Sequence, residues 1–344
     1  MRVRDHASGF ESPPAELVEG GRQRLGRFDA PPMRANLIDA PYLRLPRVLR
    51  RWRLKEWQAL QITTPRLFAN IALFDAKLLQ LLQVKVYDRR REHKYLHERQ
   101  LRPGSFHIAD QVFDSDTAYR DRKSELAFHN RFATGRIEID LAVSATADCP
   151  QITGHLVVHT ARGASQVVSL PFAGDVGMYS HKGMFPIEGE LAIGDERHIL
   201  TTDDALALLD DHKGYYPYVM RWDWVTSATH DTRGRALGFN LTHNQCRDPD
   251  RFNENCAWIG DQIGRLPAVT FERGDLWRIR DREGRVDLTF EPTVPGDVRL
   301  NAIVVESRYR GPFGRFTGRL SPEALEPIEI DGWFGMGEQF WLRC

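Results

Sequence analysis

Arg136 to Ala145, RIEIDLAVSA, alternates: Ile137, Ile139, Leu141 and Val143 fall on one face of an extended chain, and Arg136, Glu138 and Asp140 on the other. A period of two is that of a half-buried β-strand. Outward from it, His155 to Thr160, Ser165 to Pro171, Arg235 to Leu241, Val286 to Phe290, Ala302 to Tyr309 and Ile328 to Trp333 are strand-sized runs rich in Val, Ile, Phe and Trp, with Gly, Asp and Pro in the gaps. Many strands without a repeating strand–helix alternation argue against a doubly wound sheet and for a mostly β chain built as barrels or sandwiches. One segment reads as a helix: Thr202-Asp203-Asp204 offers capping oxygens, Ala205 to Leu209 is apolar, and Gly214 follows as a stop.

A chain of 344 residues suits two domains better than one. The stretch 1–46, with Pro13-Pro14, Gly20-Gly21 and Pro31-Pro32, reads as an irregular arm laid over a core; barrel-like domains are expected over 47–195 and 196–344. Basic and acidic residues balance at 47 each, so no global field draws the chain to nucleic acid or an anionic surface. Cys149, Cys246, Cys256 and Cys344 lack CxxC spacing and are expected to be reduced thiols. Met1 to Phe10 lacks the apolar core of an export signal, and apolar runs such as Leu78 to Leu82 are far too short to span a bilayer, so a cytoplasmic protein is expected. The basic runs Arg44 to Lys55 and Arg89 to Arg102 read as solvated faces; in the first, Trp52, Leu54 and Trp57 suggest an element whose edge enters the core.

Several segments could carry chemistry. His181-Lys182, in HKGMFPIEGE, places an imidazole beside an ammonium on a glycine-bounded turn, which would keep His181 neutral and available as a base; a structural pair on a loop is the competing reading. Asp210 to Pro217 runs into Arg221-Trp222-Asp223-Trp224, and Tyr215, Tyr216, Trp222 and Trp224 could wall a cavity or simply fill a core. Strand alternation puts Trp222 and Trp224 on one face and Arg221 and Asp223 on the other. Asn240, Thr242 and Asn244 share a strand face that could direct amides and a hydroxyl into a cavity near Glu254; alternatively Asn253-Glu254-Asn255 is only a turn whose carboxylate pairs with an arginine. The pairs His155/His159 and His93/His97 lack a glutamate placed as in HExxH, so no metal site is expected. Gly311, Gly314 and Gly318 within Arg308 to Leu320 do not form a phosphate-binding pattern and read as a hairpin turn, and no GxSxG elbow occurs.

The ordered blocks HKGMFPIEGE, DDHKGYYPYVMRWDW, GFNL followed by NEN, GPFGRFTGRL and DGWFGMGE resemble a bacterial domain-of-unknown-function family over most of the chain. That family is similar, more distantly, to the two-barrel lipocalin-like (calycin) group that includes carotenoid hydratases, the hydroxyneurosporene synthases. The resemblance implies two tandem antiparallel barrels, few short helices and a largely apolar ligand cavity, with an acid among aromatics that protonates a double bond. It assigns no residue to that role. The leading expectation is a barrel cavity for a hydrophobic small molecule, isoprenoid or fatty-acyl in type, with cofactor-free hydration, isomerisation or cyclisation. Asp223, Glu254 and His181 are the candidate catalytic groups, and Lys182, Tyr215, Tyr216, Trp222, Trp224 and Asn240 the candidate ligand-binding groups. A non-catalytic lipid carrier or sensor that touches membranes through Arg44 to Lys55, and a carbohydrate-active protein, are the alternatives. No nucleic-acid partner is expected, and the sequence leaves the oligomeric state open.

Overall fold

The computed structural model of the chain describes residues 9–172, 176–301 and 306–343. Most of the stretch read against an export signal, the first half of the run Ala302 to Tyr309, and Cys344 lie outside the described residues. Two sheets account for most of the rest. Ten strands of the first follow one path: His93–Leu101, Gln80–Asp88, Leu67–Asp75, Lys55–Thr63, Leu206–Gly214, Gly177–Ile193, Ile152–Val158, Arg136–Val143, Ser124–Arg131 and Ser115–Arg120. The main path of the second is Gln262–Arg265, Cys256–Ile259, Ala236–His243, Val219–His230, Ile328–Arg343, Phe313–Leu320, Val286–Val294, Trp277–Arg280 and Thr270–Glu272. Pairing along both paths is antiparallel. No described helix is long and apolar enough to cross a membrane.

Each sheet curls around its own core. Leu60, Ile71, Val84, Phe128, Ile139 and Leu156 belong to the first, and Val225, Phe239, Trp277, Leu288 and Phe316 to the second. Arg99, on an edge strand, bonds Asp121 and Ser124 at the turn beside the opposite edge strand, closing the first curl. The curl uses the same device in both halves. Gly189 and Gly318 have φ of +132° and +129°, and a Cβ on either would lie 2.2 and 2.1 Å from a partner-strand carbonyl, that of His155 and of Asp287 respectively. Only glycine tolerates both the backbone and the approach.

The two-barrel, mostly β expectation is the fold observed, and the arm is laid over a core: Leu17, Val18 and Phe28 pack with Val167, Tyr179 and Tyr215. Three local readings are corrected. Thr202 to Leu209 is not a helix. Asp204 accepts from the backbone N–H and the hydroxyl of Thr201 in a turn, and Leu206–Gly214 is an interior strand of the first sheet. Its unbroken apolar run follows from burial on both faces, Ala207 and Leu209 in the first lumen and Leu206 and Leu208 between the sheets. The helix is instead Arg47–Arg53, and none of its residues is buried. Gly311-Pro312 is not a hairpin turn, because Glu306–Arg310 and Phe313–Leu320 pair in succession with the same strand, Ile328–Arg343. A division at 195/196 cuts the first sheet; we propose the domain boundary in the link 215–218, between Gly214 and Val219.

Candidate active site between the two sheets

Both lumens are filled by the cores just described, and the apolar cavity lies elsewhere, between the outward faces of the two sheets. The expected barrel cavity is therefore replaced by an inter-barrel one of about 180 Å³. Strand alternation builds it. Leu60 and Ile62 point into the first lumen while Trp57, Ala59 and Gln61 face the cavity, joined by Ala72 and Phe74 of the neighbouring strand. From the second sheet Val225 points into the lumen, while Trp222 and Trp224 face the cavity beside Thr242, Glu338 and Phe340. The aromatics stack in series: Trp57 lies 4.3 Å from the His212 ring and 5.5 Å from Trp222, which lies 4.1 Å from Phe340, all centroid to centroid.

One polar cluster sits on the first sheet's side. Cross-strand register sets Lys182 opposite Asp210 and Ser180 opposite His212. Lys182 Nζ lies 2.5 Å from Asp210 Oδ1 and 3.5 Å from Glu254 Oε2. His212 Nε2 is 2.9 Å from Asp210 Oδ1, and Glu254 accepts from Ser180 Oγ at 2.5 Å and from Asn244 Nδ2 at 3.1 Å. Burial alone would raise the Asp210 pKa, but the Lys182 charge and His212 outweigh it and hold Asp210 well below the usual carboxylate range. For Lys182 burial opposes the charge, yet Asp210 and Glu254 raise its pKa. The pair is ionised.

The opposite wall carries Glu338. Tyr309 Oη donates to its Oε1 at 2.7 Å and Trp222 Nε1 to its Oε2 at 3.2 Å. Burial pushes the Glu338 pKa up, against the lowering effect of Tyr309, Lys85 and Trp222. Behind Tyr309, Lys85 Nζ is 3.1 Å from the phenol oxygen, and burial lowers its pKa to about 8. Thr242 Oγ and His212 Nδ1 are buried and have no hydrogen-bond partner among the described residues. No cluster of three or more His, Cys, Asp or Glu able to hold a metal occurs among the described residues.

Of the residues singled out from sequence, Glu254, Lys182, Tyr216, Trp222 and Trp224 line this cavity. Asn240 stands behind the wall, accepting from Trp224 Nε1 at 2.7 Å and donating to the Glu254 carbonyl at 2.8 Å. Three lie apart. Asp223 shares the face of Val225 and pairs with Arg273; burial raises its pKa in spite of that partner. His181 is in mid-strand, not on a turn, so it faces away from Lys182 and opposes Asp211; burial, with Lys182 adding, pushes its pKa down to about 3. Tyr215 stacks on Tyr42 at 4.4 Å under the arm. The structure adds Asp210, His212, Trp57, Tyr309 and Glu338. Asp210 and His212 were hidden by the false helix before them, whereas Glu338, flanked by aromatics in WFGMGEQFW, had alternation with Phe340 as a usable signal.

The sequence matches no curated protein. The crystal structure of CghA with Sch210972 superposes with a TM-score of 0.51 at 10% identity, over 84% of this chain and 88% of that one, which shows a shared fold. Kievitone hydratase from Nectria haematococca gives a TM-score of 0.43 at 13% identity over the same shares, 84% and 88%. The fold implied by the resemblance is thus the fold found, and with residues 23–343 matching it, the chain belongs to the family described as "Domain of unknown function (DUF2804)".

Proposed function

We propose that the inter-barrel cavity binds a small, largely apolar molecule and transfers a proton to it without a cofactor, with Glu338 as the acid. The observation that carries this reading is the opposed pair of carboxyls in one cavity: Glu338 is driven towards its neutral form, and Asp210 is held as the anion. Environments that push two acids apart assign an acid and a base. Glu338 gives its proton to a carbon–carbon double bond or enol of the substrate, and its carboxylate is received by donors already aimed at it, Tyr309 Oη and Trp222 Nε1. The cation left on the substrate meets the faces of Trp57, Trp222 and Trp224. Water or an internal double bond adds to the cation, or neither does; in each case a proton is then lost to the Asp210–His212–Glu254 cluster, giving hydration, cyclisation or isomerisation, and Glu338 regains a proton from solvent.

Size narrows the substrate. A cavity of about 180 Å³ only modestly exceeds the ~150 Å³ that encloses a benzene. A compact ring or short isoprenoid unit matches that volume. Thr242 Oγ and His212 Nδ1 offer a polar substrate atom its partners, since buried polar atoms are seldom left unpaired.

The test is incubation of the protein with metabolite extract of its own host in heavy water, followed by untargeted mass spectrometry. The wild type should form a product carrying carbon-bound deuterium, and Glu338→Gln should not. Absence of any protein-dependent deuterated species, or equal labelling by Glu338→Gln, would overturn the reading. A carrier needs the aromatic wall but not the opposed carboxyls, so it predicts binding by both proteins and labelling by neither.

A further inference from the structure

The helix Arg47–Arg53 is built inside out. Val48, Leu49 and Trp52 share one of its faces and are 65%, 49% and 49% exposed, and Leu43 just before it is 71% exposed. Its arginines, rather than its apolar side chains, hold it to the protein: Arg47 pairs with Asp39, Arg50 donates to the carbonyl of Ala40, and Arg53 donates to the carbonyl of Tyr216 at 3.2 Å. A surface helix normally turns such a face inward. From Arg44 to Lys55 there are six basic residues and no acid. Arg44 also lines, with Arg22, Leu43 and Arg247, a groove between the arm and the stretch around Pro171, Val176 and Arg247, in which Asp248 is the one acid among the described residues.

We infer that this helix docks the protein on an anionic lipid surface, Val48, Leu49 and Trp52 entering the interface and Arg44 and Arg51 meeting the headgroups. Apolar side chains ringed by arginine are what such a surface rewards, each basic residue near it adding attraction. A second copy of this chain is the poorer occupant, because a two-fold contact here would bring Arg44, Arg47 and Arg51 of one copy against those of the other. Nucleic acid would leave the apolar face without a partner. The placement also has a use. Arg53 holds the carbonyl of Tyr216, and both Tyr216 and Trp57, four residues beyond the helix, line the inter-barrel cavity, so the docked edge is the one nearest a site for apolar molecules. The inference stands on the exposed face alone and does not require the proton transfer proposed above.

Co-sedimentation of the full chain with vesicles of equal parts phosphatidylserine and phosphatidylcholine tests it, with phosphatidylcholine vesicles alongside and circular dichroism to confirm folding. Binding should favour the anionic vesicles and weaken with salt. Leu49→Asp and Trp52→Asp should each reduce it on the order of tenfold or more, and Arg44→Gln and Arg51→Gln about fivefold each. Equal binding to both vesicles, or undiminished binding of folded Leu49→Asp and Trp52→Asp, would overturn the inference. So would a dimer in sedimentation velocity that Trp52→Asp dissolves, since the face would then join two copies.

Discussion

Lys182 Nζ and Asp210 Oδ1, cross-strand neighbours in the first sheet, lie 2.5 Å apart in a cavity that the sheet shares with the second. Register puts them there. Ser180 and His212 form the next pair on the same face, and Glu254 is drawn in from the second half to within 3.5 Å of both Lys182 and His212. A buried ion pair contributes little net stability but becomes costly when halved.

Lys182→Met should therefore destabilise the fold by about 3–5 kcal/mol, since it strands Asp210 and Glu254 without a cation. Asp210→Asn should cost less, because Lys182 keeps Glu254. The Asp210 pKa is lowered in the folded state, so its contribution is present above the unfolded pKa and is lost as pH falls. Urea titrations from neutral pH to below about pH 4 should show the wild type losing stability faster than Asp210→Asn.

Glu338→Gln should lower turnover by about 10²–10⁴ while leaving ligand affinity near that of the wild type. Trp57, Trp222 and Trp224 line the cavity and report binding by their fluorescence. Loss of binding together with turnover would make Glu338 part of the recognition surface instead.

Trp222→Phe and Tyr309→Phe each remove one N–H or O–H that stabilises the Glu338 carboxylate. Either substitution should raise the Glu338 pKa further. Activity that needs the protonated acid falls as pH rises through that pKa, so the alkaline limb of the rate profile should move to higher pH in both variants. Lys85→Met should act in the same direction, by removing a nearby cation.

Asp211→Asn should stabilise the protein at neutral pH. Burial, with Asp210 adding, raises the Asp211 pKa well above the ordinary value, so the folded state disfavours its charged form. The penalty is absent below the unfolded pKa and grows as pH rises through the folded one. Thermal melting should show a gain on the order of 2 °C at neutral pH that vanishes in acid; an equal gain at all pH values would point to packing.

The fold was legible where alternation is strong. Arg136–Val143 shows one face to a core and one to water, and its pattern survives in the sequence. Alternation vanishes where a strand is buried on both sides, and Leu206–Gly214 lost its identity for that reason: lumen on one face, inter-barrel contact on the other. That strand carries Asp210 and His212, so the same ambiguity concealed half of the site. Trp222 and Trp224 were placed on their correct common face by period alone. Which face held a cavity was not readable, because an outward barrel face covered by a second barrel has the composition of a core. Asp223 stood as a candidate acid beside Glu254 because of that same unreadable fact, and its face is the one turned away from the cavity.

Native mass spectrometry of the wild type and of Ala72→Phe, both purified from lysate of the protein's own host, tests most directly whether ligands sit between the sheets. Ala72 lines the inter-barrel cavity, and a phenyl ring there fills it without touching either lumen core. The wild type should carry a small apolar molecule released by organic solvent, and folded Ala72→Phe should be empty. The same molecule retained at the same occupancy by Ala72→Phe would contradict the inter-barrel site and return the ligand to a lumen.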